Sequence, residues 1–272
     1  MIWINAEASA KLNIAHQPMP GLVRRCLELM TITATQAAAR RTAEIAGLAL
    51  HASETPALAR LTVNAQTLRL RRRQPITQTA DGILILRSGM IAAEHAALGT
   101  ERTMVELHYP GDIISAPPAS LAPMMTYTSM APSEVWRLSA ADFSAAMAND
   151  AELTNYVLQQ LNLQRARKQL HISMLAALSS EQRVAALLLQ AAGHLGTTNG
   201  QSVSFEMPLS RTEVAEYLAL NADTLSRIMS RLTREGVLAR SSRAQLTIRD
   251  MDALKAYCPL GDAVLSLHSN PH

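Results

Sequence analysis

Hydrophobic positions recur with different spacings along the 272-residue chain, and each spacing predicts its own kind of element. From Leu58 to Arg137 the spacing is short. Thr67-Leu-Arg-Leu-Arg71 and Met104-Val-Glu-Leu-His108 alternate, and Gly82-Ile-Leu-Ile-Leu86 is an unbroken apolar run. Alternation marks a strand with one covered face, and an apolar run marks a buried strand. Glycines at 82, 89, 99 and 111 punctuate the region, which suits a jelly-roll-like barrel of short strands. Ser139 then caps a helical stretch, and one long helix is predicted from Ala151 to about Met174. In it Tyr156, Leu163 and Leu170 stand seven apart, with Val157 and Leu161 beside them. That spacing fits a coiled-coil seam or packing against the barrel.

Farther on, the pattern becomes that of two short helices and a tight turn. Ser210 and Glu213 have the spacing of a capping box, and Val214 and Leu218 follow one turn apart. Asn221 is a second cap, after which Leu225, Ile228, Met229 and Leu232 form one apolar stripe. Asp223, Ser226, Arg227, Ser230, Arg231 and Arg234 occupy the other face, and Gly236 ends the helix. A helix packed on one side and carrying arginines and short polar groups on the other suits a DNA major groove. Val237-Leu238, the turn Arg240-Ser-Ser-Arg243, and Gln245-Leu-Thr-Ile-Arg249 read as a β-hairpin wing.

Charge sharpens this reading. Ser226 to Arg249 holds six arginines and one acid, a net +5, whereas the whole chain carries only +3. Basic charge is concentrated where phosphate neutralisation would need it. An ordinary amphipathic hairpin with a solvated arginine face accounts for the helix pair alone, but not for the wing and the charge together.

The residues resemble the CRP/FNR family of bacterial transcription regulators, from about Leu58 to Tyr257. Ser180-Glu-Gln-Arg-Val-Ala-Ala-Leu-Leu-Leu-Gln190 looks like the opening helix of the family's DNA-binding domain. Leu209 to Leu218 looks like its first motif helix, and Asp223-Thr-Leu-Ser-Arg227 like its recognition signature. Leu86-Arg-Ser-Gly89 and Tyr109-Pro-Gly-Asp-Ile-Ile114 resemble turns of its cyclic-nucleotide-binding β-roll. The resemblance implies an α+β chain in five parts. These are an arm at 1–57, a β-roll sensory domain at 58–145, and a long dimerisation helix at 146–177. A winged helix-turn-helix at 178–250 and a C-terminal helix and tail at 251–272 complete it. It implies base contacts from Asp223, Ser226 and Arg227. It implies phosphate contacts from Ser210, Arg211, Thr224, Arg231, Arg240 and Arg243. The implied partners are double-stranded DNA, a second copy of the chain, and RNA polymerase through Gly193–Gly200, read as a loop. Ser226 suggests the FNR/FixK-type subgroup, with half-sites like TTGAT. Asp223 departs from the family's glutamate by one methylene, and Ala219 stands where a glycine is common at the turn.

Effectors are narrowed by residues. A cyclic-nucleotide phosphate needs a cation, yet no arginine follows Gly111-Asp112 before Arg137, so cyclic AMP is not expected to bind. A [4Fe–4S] cluster needs four thiolates, and the chain has two cysteines, Cys26 and Cys258. Haem stays open through His51, His95 and His108. The cysteines make no disulfide framework, and the N-terminus lacks the basic-then-apolar order of a signal peptide, so the expected compartment is the cytoplasm. The uncharged run between Asp112 and Glu134 contains prolines at 117, 118, 123 and 132, which argues for loop or β-roll and against a membrane span. Gln36–Leu50 is alanine-rich and expected to be helical. No Gly-x-Ser-x-Gly, P-loop, His-Glu-x-x-His or Cys-x-x-Cys pattern is present, so an enzyme is not expected. A signalling module whose helical domain binds protein is the alternative. It would require an effector cradle and no basic face.

Overall fold

A computed structural model describes residues 56–76, 82–96, 102–242 and 244–269. The expected arm, its Gln36–Leu50 helix, Cys26 and His51 lie outside the described residues, as does Arg243. The first described element corrects the sequence reading. Leu58 opens no strand, because Pro56–Thr62 is a helix, α1. Proline suits the first helical turn, and Ala57, Leu58 and Leu61 form a buried face.

Eight strands follow: β1 (Gln66–Leu70), β2 (Pro75–Ile76), β3 (Gly82–Ser88), β4 (Ile91–Ala96), β5 (Arg102–His108), β6 (Ile113–Ser115), β7 (Met125–Ser129) and β8 (Ser133–Ser139). They form two antiparallel sheets, ordered β1-β8-β3-β6 and β2-β7-β4-β5. The apolar run in β3 is explained by its two covered faces. Leu84 and Leu86 join Ile91, Ile114 and Val135 in one core cluster, while Ile85 joins Leu58, Trp136, Leu153 and Val157 in another. Gly89 has φ +91°, and a Cβ there would meet the Pro132 carbonyl oxygen at 2.6 Å, so this turn admits only glycine.

Helix α2 (Ala140–Ala148) has Ser139 as its N-cap, and α3 (Ala151–Ala177) has Asp150. On α3 the face covered within the chain is distinct from the seam read in the sequence. Tyr156, Leu163 and Leu170 are only half-buried, and the buried face is Leu153, Val157, Gln164, Arg167, His171 and Met174. Apolar spacing misses that face because half of it is polar. Gln164 accepts from the Ile113 amide at 3.1 Å and donates to its carbonyl at 3.0 Å, adding a rung to β6. Leu158, Leu161 and Ile172 remain exposed.

Helix α4 (Ser180–Leu195) begins with a capping box from Ser179 and Gln182. It leads into the hairpin of β9 (Thr197–Asn199) and β10 (Ser202–Glu206). The span Gly193–Gly200 is therefore helix end and strand rather than loop. Gly193 is required by close packing, since a Cβ there would lie 2.8 Å from the His268 carbonyl oxygen. Helices α5 (Arg211–Tyr217) and α6 (Ala222–Arg234) come next, then β11 (Leu238–Arg240) and β12 (Gln245–Ile248). These two strands complete a third sheet, β11-β12-β10-β9. The C-terminal segment is two short helices, α7 (Met251–Ala256) and α8 (Gly261–His268).

One apolar core joins the roll to the C-terminal domain. Met90, Met104, Leu107 and Tyr109 share it with Leu188, Leu189, Leu218 and Leu225. A polar knot lies at the same junction. Buried Asp112 accepts from Arg167 Nη1 at 2.9 Å and from the Tyr109 amide at 2.9 Å. Arg167 Nε also donates to the Leu267 carbonyl on α8 at 2.7 Å. Burial nevertheless outweighs Arg167 and pushes the Asp112 carboxyl above its usual range.

Three buried imidazoles, His108, His171 and His268, and half-buried His194 surround this knot. Tyr109 stacks on His194 at 3.6 Å, and His194 Nε2 lies 2.9 Å from His268 Nδ1. His171 stacks on Tyr217 at 4.1 Å, and neither its ring nitrogens nor those of His108 have a hydrogen-bond partner. Burial lowers all four, His171 to about 4 and His268 to about 3, with Arg167 opposing protonation of His108, His194 and His268. The unfolded chain protonates these rings near pH ~6.5 while the folded chain keeps them neutral. Stability is therefore full above pH ~6.5 and falls as pH drops from there toward the folded values. Asp112 acts in the opposite sense, but it is one group against four. Urea midpoints measured between pH 7.5 and pH 4.5 are expected to decline steadily.

Candidate nucleic-acid interface

The helix pair forms because its caps and apolar positions agree. Ser210 Oγ accepts from the Glu213 amide at 3.3 Å, and Glu213 Oε2 accepts from the Ser210 amide at 2.6 Å. Burial alone would raise the Glu213 carboxyl. The bonds from Ser210, then Arg73 and Arg72, hold it below the usual carboxylate range. Asn221 caps α6, its side chain accepting from the Asp223 amide at 2.7 Å. Leu225, Ile228 and Leu232 are buried, each contributing about 1.5–3 kcal/mol. Gly236 ends the helix with φ +79°.

The turn between α5 and α6 stores strain. Ala219 has φ +51°, a left-handed conformation that costs an L-residue about 1–2 kcal/mol. Ala219→Gly relieves it, partly offset by the greater freedom of glycine in the unfolded chain. A net gain of about 0.5–1 kcal/mol is expected and can be read from urea denaturation.

The opposite face of α6 is open. Asp223 and Arg227 are exposed, as are Ser230 and Arg234, while Ser226 and Thr224 are half-buried on its flanks. Asp223, Ser226 and Arg227 thus stand together on the first two turns. Arg211 is exposed beside Ser210 at the start of α5. Arg240 is exposed on the wing, its Nε donating to the Ser242 carbonyl at 3.2 Å. Arg231 is half-buried. It pairs with Glu181 on α4, and its Nε is buried without a hydrogen bond, so it braces α6 against α4. A cleft of about 810 Å3 borders the interface, with Ser210, Arg211, Ser226 and Arg240 in its lining and Met90, Met130 and Arg72 on the roll side.

Sequence reading missed what attaches this domain to the roll. Arg73 Nη2 donates to Glu213 Oε1 at 2.9 Å, and Arg72 Nη2 lies 3.4 Å from Glu213 Oε2. Glu216 accepts from the Met104 amide of β5 at 3.1 Å. The three consecutive arginines at 71–73 were the available signal.

An exposed recognition face, a capped first helix and a two-stranded wing match one known domain. The Crp-like helix-turn-helix family matches residues 182–257. This segment is a Crp-like helix-turn-helix domain. The match bears out the CRP/FNR resemblance. Over 77 residues, the chain is 38% identical to a probable transcriptional activator of Rhizobium leguminosarum bv. viciae, covering 28% of this chain and 32% of the relative. Over 114 residues it is 32% identical to the nitrogen fixation regulation protein FixK of Azorhizobium caulinodans, covering 41% of this chain and 45% of that one. The chain thus spans less than half the length of these two relatives. The structure of FixK2 from Bradyrhizobium japonicum matches with a TM-score of 0.62 at 19% identity, over 71% of this chain and 97% of that one. At that identity the likeness is one of fold, and it extends well beyond the Crp-like domain. Of the histidines considered for haem, His95 lies on β4 and His108 is buried. Among the described residues, no group of three or more metal-ligating side chains comes together, and no helix is long and apolar enough to cross a membrane.

Proposed function

We propose that the protein is a cytoplasmic transcription regulator that binds a palindromic DNA site as a homodimer. The observation that carries this reading is the exposed face of α6 with Asp223, Ser226 and Arg227 on its first turns, flanked by Arg211 and the Arg240 wing. Arg227 takes a guanine through O6 and N7, and Ser226 and Asp223 read neighbouring base edges. Ser210, Arg211, Thr224, Arg240 and Arg243 contact phosphates, fixing register rather than sequence. Arg231, which pairs with Glu181 in the free chain, is a further phosphate contact.

A palindrome requires two reading heads about 34–36 Å apart, and a two-fold dimer supplies them. Exposed Leu158, Leu161 and Ile172 support α3 as the dimer seam, and Leu161 belongs to the seam read in the sequence. The segment Gly193–Gly200 is the surface proposed to meet RNA polymerase. Cyclic AMP is not the effector in this reading. Asp112, which follows the turn glycine Gly111, is buried against Arg167 rather than presented to a ligand. No enzymatic activity is proposed. Selection of duplexes from a random pool tests the reading.

A further inference from the structure

We infer that the arginine turn between β1 and β2 is a further DNA-phosphate contact, supplied by the roll rather than by the Crp-like domain. The inference rests on the DNA-binding reading above and extends its footprint.

The run Arg71-Arg72-Arg73 makes the β1–β2 connection unusually basic. Other arginines of the roll are occupied within it, Arg69 and Arg87 both on Glu134. Arg72 and Arg73 instead reach out of the roll to a single carboxylate, Glu213. Two guanidiniums on one carboxylate leave one positive charge in excess. Glu213 is already committed, because it also accepts from the Ser210 amide. Both arginine side chains remain accessible, at 47% and 65% exposure, and Arg71 beside them is exposed as well.

Position makes this charge relevant. Arg72 Nη2 donates to the Pro208 carbonyl at 2.9 Å, two residues before Ser210. Its Nε donates to the Met130 carbonyl at 3.1 Å, so the side chain is fixed between roll and Crp-like domain. It lines the same cleft as Ser210, Arg211 and Arg240, three of the proposed phosphate contacts. The turn is held in a strained form, with Arg73 at φ +62°. A sugar-phosphate backbone running along Ser210 and Arg211 therefore meets the arginine turn next. Glu213 is a positioning residue. It orients both guanidiniums, whose remaining N–H groups stay accessible to a phosphate.

The test is fluorescence anisotropy with a labelled duplex carrying a selected site and with a random duplex, from 50 to 200 mM salt. Arg73→Ala removes the guanidinium whose bond among the described residues is to Glu213. It is expected to weaken both duplexes equally and to make the slope of log K against log salt shallower by about 0.9 for each phosphate no longer neutralised. Arg72→Ala with Arg73→Ala deepens both effects. Arg69→Ala, whose partner is Glu134 inside the roll, is expected to leave the slope unchanged. An unchanged slope in Arg73→Ala overturns the inference. Tighter binding in either variant overturns it too, by showing that the pair with Glu213 latches the domain against DNA. Arg227→Ala run alongside separates the two levels. If it abolishes site preference while Arg73→Ala leaves the slope intact, the DNA reading stands and only the arginine turn fails. If wild-type protein shows no site preference at all, the DNA reading fails and takes this inference with it.

Discussion

Arg227→Ala is expected to abolish the preference of the protein for its own site while leaving most of its affinity for random DNA. Arg227 is exposed on the second turn of α6, opposite the buried Leu225, Ile228 and Leu232 stripe. Truncating it costs α6 no packing, so loss of the fold does not confuse the result. A bidentate arginine–guanine pair is worth about 1–3 kcal/mol of discrimination, or roughly 5- to 150-fold per half-site. A dimer on a palindrome forfeits that discrimination in both half-sites. Binding to random duplex is weakened only by the missing charge. Arg240→Ala is the counterpart, because a wing phosphate contact carries no sequence information and its removal weakens every duplex alike. Anisotropy titrations of both variants on specific and random duplexes, at one salt concentration, separate these patterns. Equal weakening of the two duplexes by Arg227→Ala would mean that Arg227 reads no base.

The second large effect is on stability. Asp112→Ala is expected to destabilise the protein by about 3–5 kcal/mol, because it leaves Arg167 charged, buried and without its carboxylate. The change also frees the Tyr109 amide, which Asp112 caps at 2.9 Å. Arg167 spans three elements, since it sits on α3, bonds Asp112 after β5, and donates to Leu267 on α8. Burial pushes the Asp112 carboxyl up despite Arg167, and taking two charges out of water can cost as much as their attraction returns. Replacing both partners by apolar residues of similar volume is accordingly expected to cost much less than either single change. Urea denaturation of the single and double variants measures the difference directly.

The same pair shows why some of the molecule was readable in the sequence and some was not. Short-range rules carried the Crp-like domain. The Ser210–Glu213 box, the Asn221 cap, the apolar stripe of α6 and the Gly236 stop are all set by residues within a few positions. The roll was legible as a region because β3 and β5 alternate or run apolar as strands must. What failed was non-local. The covered face of α3 was not foreseen because Gln164, Arg167 and His171 fill it, and polar residues do not register as core in a hydrophobic pattern. Leu58 looked like strand because a seven-residue helix offers too few turns to show its period. The pairing of Arg231 with Glu181 on α4 was not foreseen, because helical spacing gives a residue's face but not its neighbours from other helices. Arg72 and Arg73 were visible as a basic run, yet their partner lies about 140 positions away.

Ala219 and Asp223 are the two departures from the family pattern, and they differ in consequence. Ala219 strains the turn between α5 and α6 but leaves α6 capped and in place. In the proposed DNA reading, Asp223 bears on the target itself. It is exposed beside Arg227 and one methylene shorter than the family's glutamate, so its reach favours a partner base closer to the helix.

Whether α6 reads a palindromic sequence is decided by selecting duplexes from a random pool with the purified full chain. The expected product is an inverted repeat with half-sites related to TTGAT and centres separated by about one helical turn. It contains a guanine whose selection disappears with Arg227→Ala. Recovery of duplexes with no shared sequence, or of a motif that Arg227→Ala leaves unchanged, would refute base reading by α6.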